Sequence, residues 1–175
     1  SEMCIRDRYE CFTNRQDEIF HIPQLVRYCQ GHWNVWDPML TTPPGPYMVT
    51  LALRPCMHFL GFFRACDDVM AIRFTNVIAL LCLPLLCMQV LRARGCSDYG
   101  FVPYICASLP PLWFFGFLYY TDVLSVCAVI ASMAAMERKR HAQASLWGFV
   151  ALFFRQTNII WVLFIMGVAA LRECQ

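Results

Sequence analysis

Two neighbouring carboxylates, Asp17 and Glu18, stand one helical turn before His21 in the run QDEIFHIPQ, residues 16–24. A carboxylate within hydrogen-bond reach of a hydroxyl can take its proton as that oxygen attacks an electrophile. The His21 imidazole, three and four residues on, can orient a carboxylate or bond a polyhydroxylated ligand. A plainer reading also stands. Acidic residues favour a helix start through the backbone dipole, and His21 is then structural.

A second polar group interrupts an apolar run. Arg155, Gln156, Thr157 and Asn158 follow ALFF and precede IIWVLF. The Arg155 guanidinium keeps its charge at any accessible pH, so it needs an anion or water. Asp122 is one candidate partner and a bound phosphate is the other, since a guanidinium grips phosphate with forked hydrogen bonds. Gln156 and Asn158 point about 100° and 300° around a helix from Arg155. At least one of them is therefore expected to bond a neighbouring helix. Tyr119-Tyr120-Thr121-Asp122 breaks the longest apolar stretch, either as a turn with aromatic anchors or as a pocket wall around a costly acid. Asp37, followed by Pro38, has the make-up of a turn residue.

The elements that carry these residues are apolar. Hydrophobic residues make up 59% of the chain and charged residues 15%, against about 25% charged in soluble domains. Phe74–Leu91, Tyr99–Thr121, Val123–Met136 and Gln156–Leu171 are free of charge, and a spanning helix needs about 20 such residues. Amphipathic surface helices are nearly absent, which disfavours a soluble helical core. An all-α, polytopic transmembrane bundle is expected, with segments at 46–63, 71–92, 101–120, 122–137 and 142–171. Pro84 and the Pro110-Pro111 pair are expected to kink or break their helices. Residues 17–30 are expected to form a short amphipathic helix ended by Gly31. Residues 31–46 read as loop, with Trp33, Trp36 and Tyr47 at a membrane–water boundary.

Some chemistries are disfavoured. Net charge is +2 with no basic, aromatic-laced tract, so nucleic acid is not an expected partner. The eleven cysteines form no CxxC pair and the four histidines fall at no ligand spacing, so no metal is expected. Cys29 and Cys96 lie in polar segments and could pair if both face an oxidising compartment. The dense charge run at 137–141, ERKRH, reads as a solvated loop.

DEIFHIPQ (17–24), WDPMLTTPPGPY (36–47), FLYYTD (117–122) and FRQTNIIW (154–161) occur in that order. Together they resemble the dolichyl-phosphate-glucose α-1,2-glucosyltransferases over roughly residues 16–171. The resemblance implies a partial GT-C-type fold in the endoplasmic reticulum membrane, with several passes. It implies an inverting enzyme of asparagine-linked glycosylation, moving glucose from dolichyl-phosphate-glucose to a diglucosylated dolichyl-pyrophosphate oligosaccharide. On this reading Asp17 is the catalytic base and Glu18 the fallback. His21, Asp37, Tyr119, Tyr120, Asp122, Arg155 and Gln156 contact substrate, with Arg155 against the donor phosphate. The resemblance implies no cofactor. Membrane lipid is an expected neighbour.

By the same resemblance, a transmembrane helix precedes the acidic pair and further spans follow residue 175. Residues 1–16 are polar and do not match, 17–45 form a lumenal loop with the short helix, and 46–175 form the membrane region. The chain is thus expected to be a fragment without activity of its own. If Asp17 is lumenal and all segments cross, the basic 137–141 loop is lumenal too, against its cytosolic preference. A re-entrant segment, 46–63 or 101–120, would remove the conflict. A transporter or channel-associated protein built around Asp122 and Arg155 is the rival function, and an inactive copy is the other.

Overall fold

The computed structural model describes residues 18–62 and 65–173; the regular elements among them are all helices, with no strand. Helix α1 spans Glu18–Cys29. Gly31 ends it at φ 88°, where its N–H bonds the Tyr28 carbonyl and the His32 N–H bonds the Arg27 carbonyl. This left-handed cap satisfies two carbonyls that a helix end would leave open. Helix α2 spans Gly45–Phe59 and has Pro46 in its first turn, where the missing N–H costs nothing.

Helix α3, Val69–Ala93, begins with the Asp68 side chain accepting from the Ala71 N–H. Its 25 residues make it the one described helix long and apolar enough to cross a membrane. Pro84 lies inside it without ending it. Two short helices follow, α4 at Val102–Ala107 and α5 at Pro110–Gly116. The expected 101–120 helix is therefore broken. Pro110 and Pro111 cannot donate to the preceding turn, so they open a new helix instead of continuing one.

Helix α6 spans Asp122–Glu137 and α7 spans His141–Phe154. The single helix expected over 142–171 is also absent. Arg155 is extended, at φ −149° and ψ 131°. A 3-10 turn at Gln156–Asn158 then leads into α8, Ile159–Glu173. Asn158 lies behind the break. Its Nδ2 donates to the Ala151 carbonyl at 2.7 Å and to Ser125 Oγ at 2.8 Å. These bonds tie the break to α6 and to α7, beside the Arg155 N–H that the Ala151 carbonyl also accepts.

Ion pairs fix which ends meet. Glu137, closing α6, receives Arg94 just past α3 at 2.9 Å and Arg172 near the end of α8 at 2.7 Å. Those three helices finish together, beside Arg138, Lys139 and Arg140. At the opposite end Glu18 meets Arg73 of α3 and the backbone of Tyr119. Helices α4 and α5 thus run back alongside α3, with Gly116 pressed against Leu80. Helices α7 and α8 form a hairpin about Arg155, with Gly148 facing Val162.

The packing is apolar outside and small or polar inside. Ala79, Ala128, Ala131 and Ala151 are buried, as are Asn76, Ser125, Ser132 and Asn158. Met70, Leu81, Phe101 and Ile160 are each at least two-thirds exposed. Ser132 donates to the Ala144 carbonyl at 2.8 Å, joining α6 to α7. Small residues and side-chain hydrogen bonds join helices where lipid, not water, is the solvent.

A disulfide joins Cys29 to Cys66, and Cys96 is free and exposed. The expected partner for Cys29 is thereby corrected. Cys96 lies just past α3 at the Arg94 end, a helix length away from Cys29.

Lys139 is the one described non-glycine residue at positive φ, 57°. It occupies the cap position after α6, where its N–H bonds Met136 and the Arg140 N–H bonds Ala135. A Cβ in that conformation costs about 1 kcal/mol. Lys139→Gly is expected to raise stability by about that amount, read as a higher unfolding midpoint of the detergent-solubilised protein. An unchanged or lower midpoint would show that the strain is absent.

Candidate active site

The first turn of α1 carries Glu18 into the bundle. Its side chain is 1% exposed. Arg73 grips it with two bonds, Nε to Oε1 at 3.0 Å and Nη2 to Oε2 at 2.7 Å. The Tyr119 N–H also donates to Oε1, at 2.5 Å. Both oxygens are thus engaged by a cation and a backbone donor, which compensates burial of the charge. Asp17, the expected base, lies outside the described residues.

The turn at 117–121 is held from three sides. Asn76 Nδ2 donates to the Leu118 carbonyl at 2.6 Å and to the Tyr120 carbonyl at 2.7 Å. Tyr119 is 1% exposed, and its hydroxyl shares a hydrogen bond with Thr50 Oγ1 of α2 at 3.0 Å. The fully buried Tyr47 joins α1 to α2, with its hydroxyl 2.6 Å from His21 Nδ1. The Tyr120 ring packs against Phe115 and lies 6.4 Å from the His21 ring. The structure therefore brings Glu18, His21, Tyr119 and Tyr120 together with Tyr47, Thr50, Arg73 and Asn76.

Asp122 and Arg155 form a second group beside the first, two residues on from Tyr120. Arg155 Nη1 donates to Asp122 Oδ1. The arginine side chain is 43% exposed and the aspartate 25%. A guanidinium has five N–H donors, so this one bond leaves capacity for an anion. Asn158 is buried between α6 and α7 as described, whereas Gln156 and Thr157 are exposed. Of Gln156 and Asn158, it is Asn158 that bonds neighbouring helices.

Asp37 lies in the loop between α1 and α2, next to Trp36, whose ring contacts Tyr47. Its Oδ1 accepts from the Met39 N–H at 3.0 Å, closing a local turn, and its Oδ2 lies 3.8 Å from Arg27. The buried Gln24 ties this loop to α1, receiving the Asp37 N–H and donating to the Val35 carbonyl. Gly45 opens α2 against the backbone of Phe153, closer than a Cβ would allow. The start of α2 is therefore seated on the end of α7, next to Arg155.

Sequence reasoning missed Arg73, Asn76, Tyr47 and Thr50. Arg73 and Asn76 are polar groups in the first turns of an apolar helix, which costs energy unless each is paired. That cost is the available signal. It shows that a partner exists without saying which one. Among the described residues no three of His, Cys, Asp and Glu gather closely enough to hold a metal.

Residues 13–175 match the family model described as the DIE2/ALG10 family. An Arabidopsis thaliana protein is 40% identical over 85% of this chain and 32% of its own length. A Drosophila melanogaster protein is 36% identical over 89% of this chain and 34% of its own length. A human protein is 36% identical over 86% and 34%. Each is named Dol-P-Glc:Glc(2)Man(9)GlcNAc(2)-PP-Dol alpha-1,2-glucosyltransferase. The chain spans about a third of the length of these relatives. No solved structure matches it.

Proposed function

The chain belongs to the DIE2/ALG10 family, and from that premise we propose that the whole protein is the glucosyltransferase its relatives are named for. It transfers glucose from dolichyl-phosphate-glucose to the diglucosylated dolichyl-pyrophosphate oligosaccharide of N-glycan assembly. The observation that carries this reading is the meeting of α1, the 117–121 turn and the Arg155 hairpin at one end of the bundle. Family membership argues against the transporter.

In the proposed step the acceptor hydroxyl oxygen bonds the anomeric carbon of glucose. The bond from that carbon to the phosphate oxygen breaks, and its electrons stay on dolichyl phosphate. Asp17 takes the hydroxyl proton, and Arg155 meets the charge on the departing phosphate. One displacement inverts the anomeric centre, as a β-linked donor and an α-linked product require. Tyr120 and Asp122 form the wall nearest the sugar, His21 and Tyr119 are buried behind it and support it, and Asp37 and Gln156 are outlying contacts. Glucose addition by the full-length protein, in cells lacking this activity, tests the reading through the size of the lipid-linked oligosaccharide. No added glucose at normal expression would sink it.

We also propose a multi-pass protein of the endoplasmic reticulum membrane, with the acidic-pair end in the lumen. Two observations support this orientation independently. The Cys29–Cys66 disulfide suits an oxidising compartment. The opposite end gathers Arg92, Arg94, Arg138, Lys139, Arg140 and Arg172, as cytosolic ends do. Because Cys29 and Cys66 flank α2, that helix returns to the side it left and does not cross. The α7–α8 hairpin returns likewise, to the cytosol, and the parity conflict over the 137–141 loop disappears. In sealed microsomes an impermeant maleimide added outside is expected to label Cys96, while Cys29 and Cys66 react only after reduction and permeabilisation. Labelling of Cys96 only after permeabilisation would reverse the orientation.

A further inference from the structure

We propose that the basic end of the bundle holds a site for one anionic phospholipid, with its phosphate at Arg94 and Arg172 and the upper part of an acyl chain in the cavity beside them. The site is remote from the candidate active site, and glucosyl transfer is no premise of it.

Glu137 sets the spacing of the two arginines. Arg94 Nε donates to its Oε1 at 3.0 Å, and Arg172 Nη1 donates to its Oε2 at 2.7 Å. One carboxylate thus clips a cation from the end of α3 to a cation from the end of α8. The carboxylate side chain is 9% exposed, whereas the arginines are 41% and 53% exposed. The clip lies inside and the guanidiniums turn outward. Each guanidinium has five N–H donors, and Arg94 brings only Nε and Nη2 to Glu137. The forks that remain suit the oxygens of a phosphodiester.

The same two arginines share a cavity of about 70 Å³ with Met133 and Met136 of α6 and Phe164, Ile165, Val168 and Ala169 of α8. Apart from the three charged residues, that lining is apolar. A bare helix staple needs the ion pairs and not the cavity. A soluble anion has no use for the apolar lining, and a neutral chain has none for the cations. A phospholipid matches both, and basic pockets between membrane helices are where anionic headgroups bind. Methionine side chains adapt to an irregular guest such as an acyl chain. The flanking segments add Arg92, Arg138, Lys139 and Arg140 against Asp98 and Glu173, so this end stays net positive.

The test places the full-length protein in phosphatidylcholine nanodiscs with a trace of lipid bearing a photoreactive group high on one acyl chain. The labelled lipid is phosphatidylserine or phosphatidylcholine, and labelled peptides are mapped by mass spectrometry. Phosphatidylserine is expected to label the peptides holding residues 133–136 and 164–169 about 10- to 30-fold more than phosphatidylcholine, from two cationic contacts of about fivefold each. The triple variant Arg94→Gln/Glu137→Gln/Arg172→Gln strands no buried charge and removes one net positive charge. Its phosphatidylserine labelling should fall at least about tenfold. Arg138→Gln/Arg140→Gln removes two charges at the same end and should lose no more than about threefold. Val168→Trp keeps every charge and fills the cavity, so it tests the site if the triple variant folds poorly. It should lower phosphatidylserine labelling about tenfold as well.

Equal labelling by the two lipids would overturn the proposal, as would wild-type labelling in folded Val168→Trp. A larger loss in Arg138→Gln/Arg140→Gln than in the triple variant would reduce the attraction to a diffuse field and overturn it too. Displacement of the label by soluble glycerophosphoserine would make this a site for a free phosphate and not for a lipid. Absence of labelling from either lipid would mean that another segment of the longer protein covers the cavity. Each of these last two results also overturns the proposal.

Discussion

Asp17→Asn in the full-length protein should lower glucose transfer about 10²- to 10⁴-fold, the usual worth of a general base. The amide keeps the size of the carboxylate and loses its ability to take a proton. Protein amount and donor KM should change little, because the loss belongs to the transition state. The neighbouring carboxylate offers no substitute, since Glu18 has both oxygens bound by Arg73 and Tyr119. Accumulation of the diglucosylated lipid-linked oligosaccharide in cells is the readout. Completion of the triglucosylated form at matched expression would move the base elsewhere.

Arg155→Gln should cost about 10²- to 10³-fold in kcat, the scale seen when a transition-state donor is removed. Arg155→Lys keeps the charge without the fork and should fall between the two. The pair with Asp122 sets up a rival explanation, in which Arg155→Gln acts by stranding the aspartate. Asp122→Asn combined with Arg155→Gln separates the two. If the pair only holds α6 to the hairpin, the double variant regains most of the loss, because no charge is left unpaired. If Arg155 meets the phosphate, the double variant stays as slow as Arg155→Gln. Recovery would return Arg155 to a structural role.

The local features were the legible ones. Helix α1, its stop at Gly31 and the long apolar α3 follow from residue spacing and from one glycine at positive φ. The break at Pro110-Pro111 follows from ring chemistry. The break at Arg155 has no glycine or proline to announce it. It depends on Asn158 finding Ser125, 33 residues away, and Arg155 finding Asp122 at the same separation. Apolar periodicity carries no trace of such pairings, so 142–171 read as one helix. The site divides in the same way. Its acidic pair, tyrosines and arginine were visible as polar residues among apolar ones. Arg73 reaches Glu18 across 55 residues and Asn76 reaches Leu118 across 42. Those partners emerge only once α3 lies alongside the turn. Cys29 could likewise not choose between Cys66 and Cys96 from spacing.

The hairpin also bears on the thickness of the surrounding bilayer. Helix α7 has 14 residues, about 21 Å of rise, against a hydrocarbon core of about 30 Å. In the proposed orientation it starts at the cytosolic surface, so Arg155 stops about 9 Å short of the lumenal one. Helix α8 has 15 residues and descends from the same depth. A mismatch of this size is met by thinning the lipid around the short helices or by anchoring residues that reach for the interface. Thinning would bring the lumenal headgroup layer down towards Arg155. A glucose carried on a lipid phosphate would then arrive at the guanidinium while its tail stays in hydrocarbon, and the membrane itself would deform to deliver it.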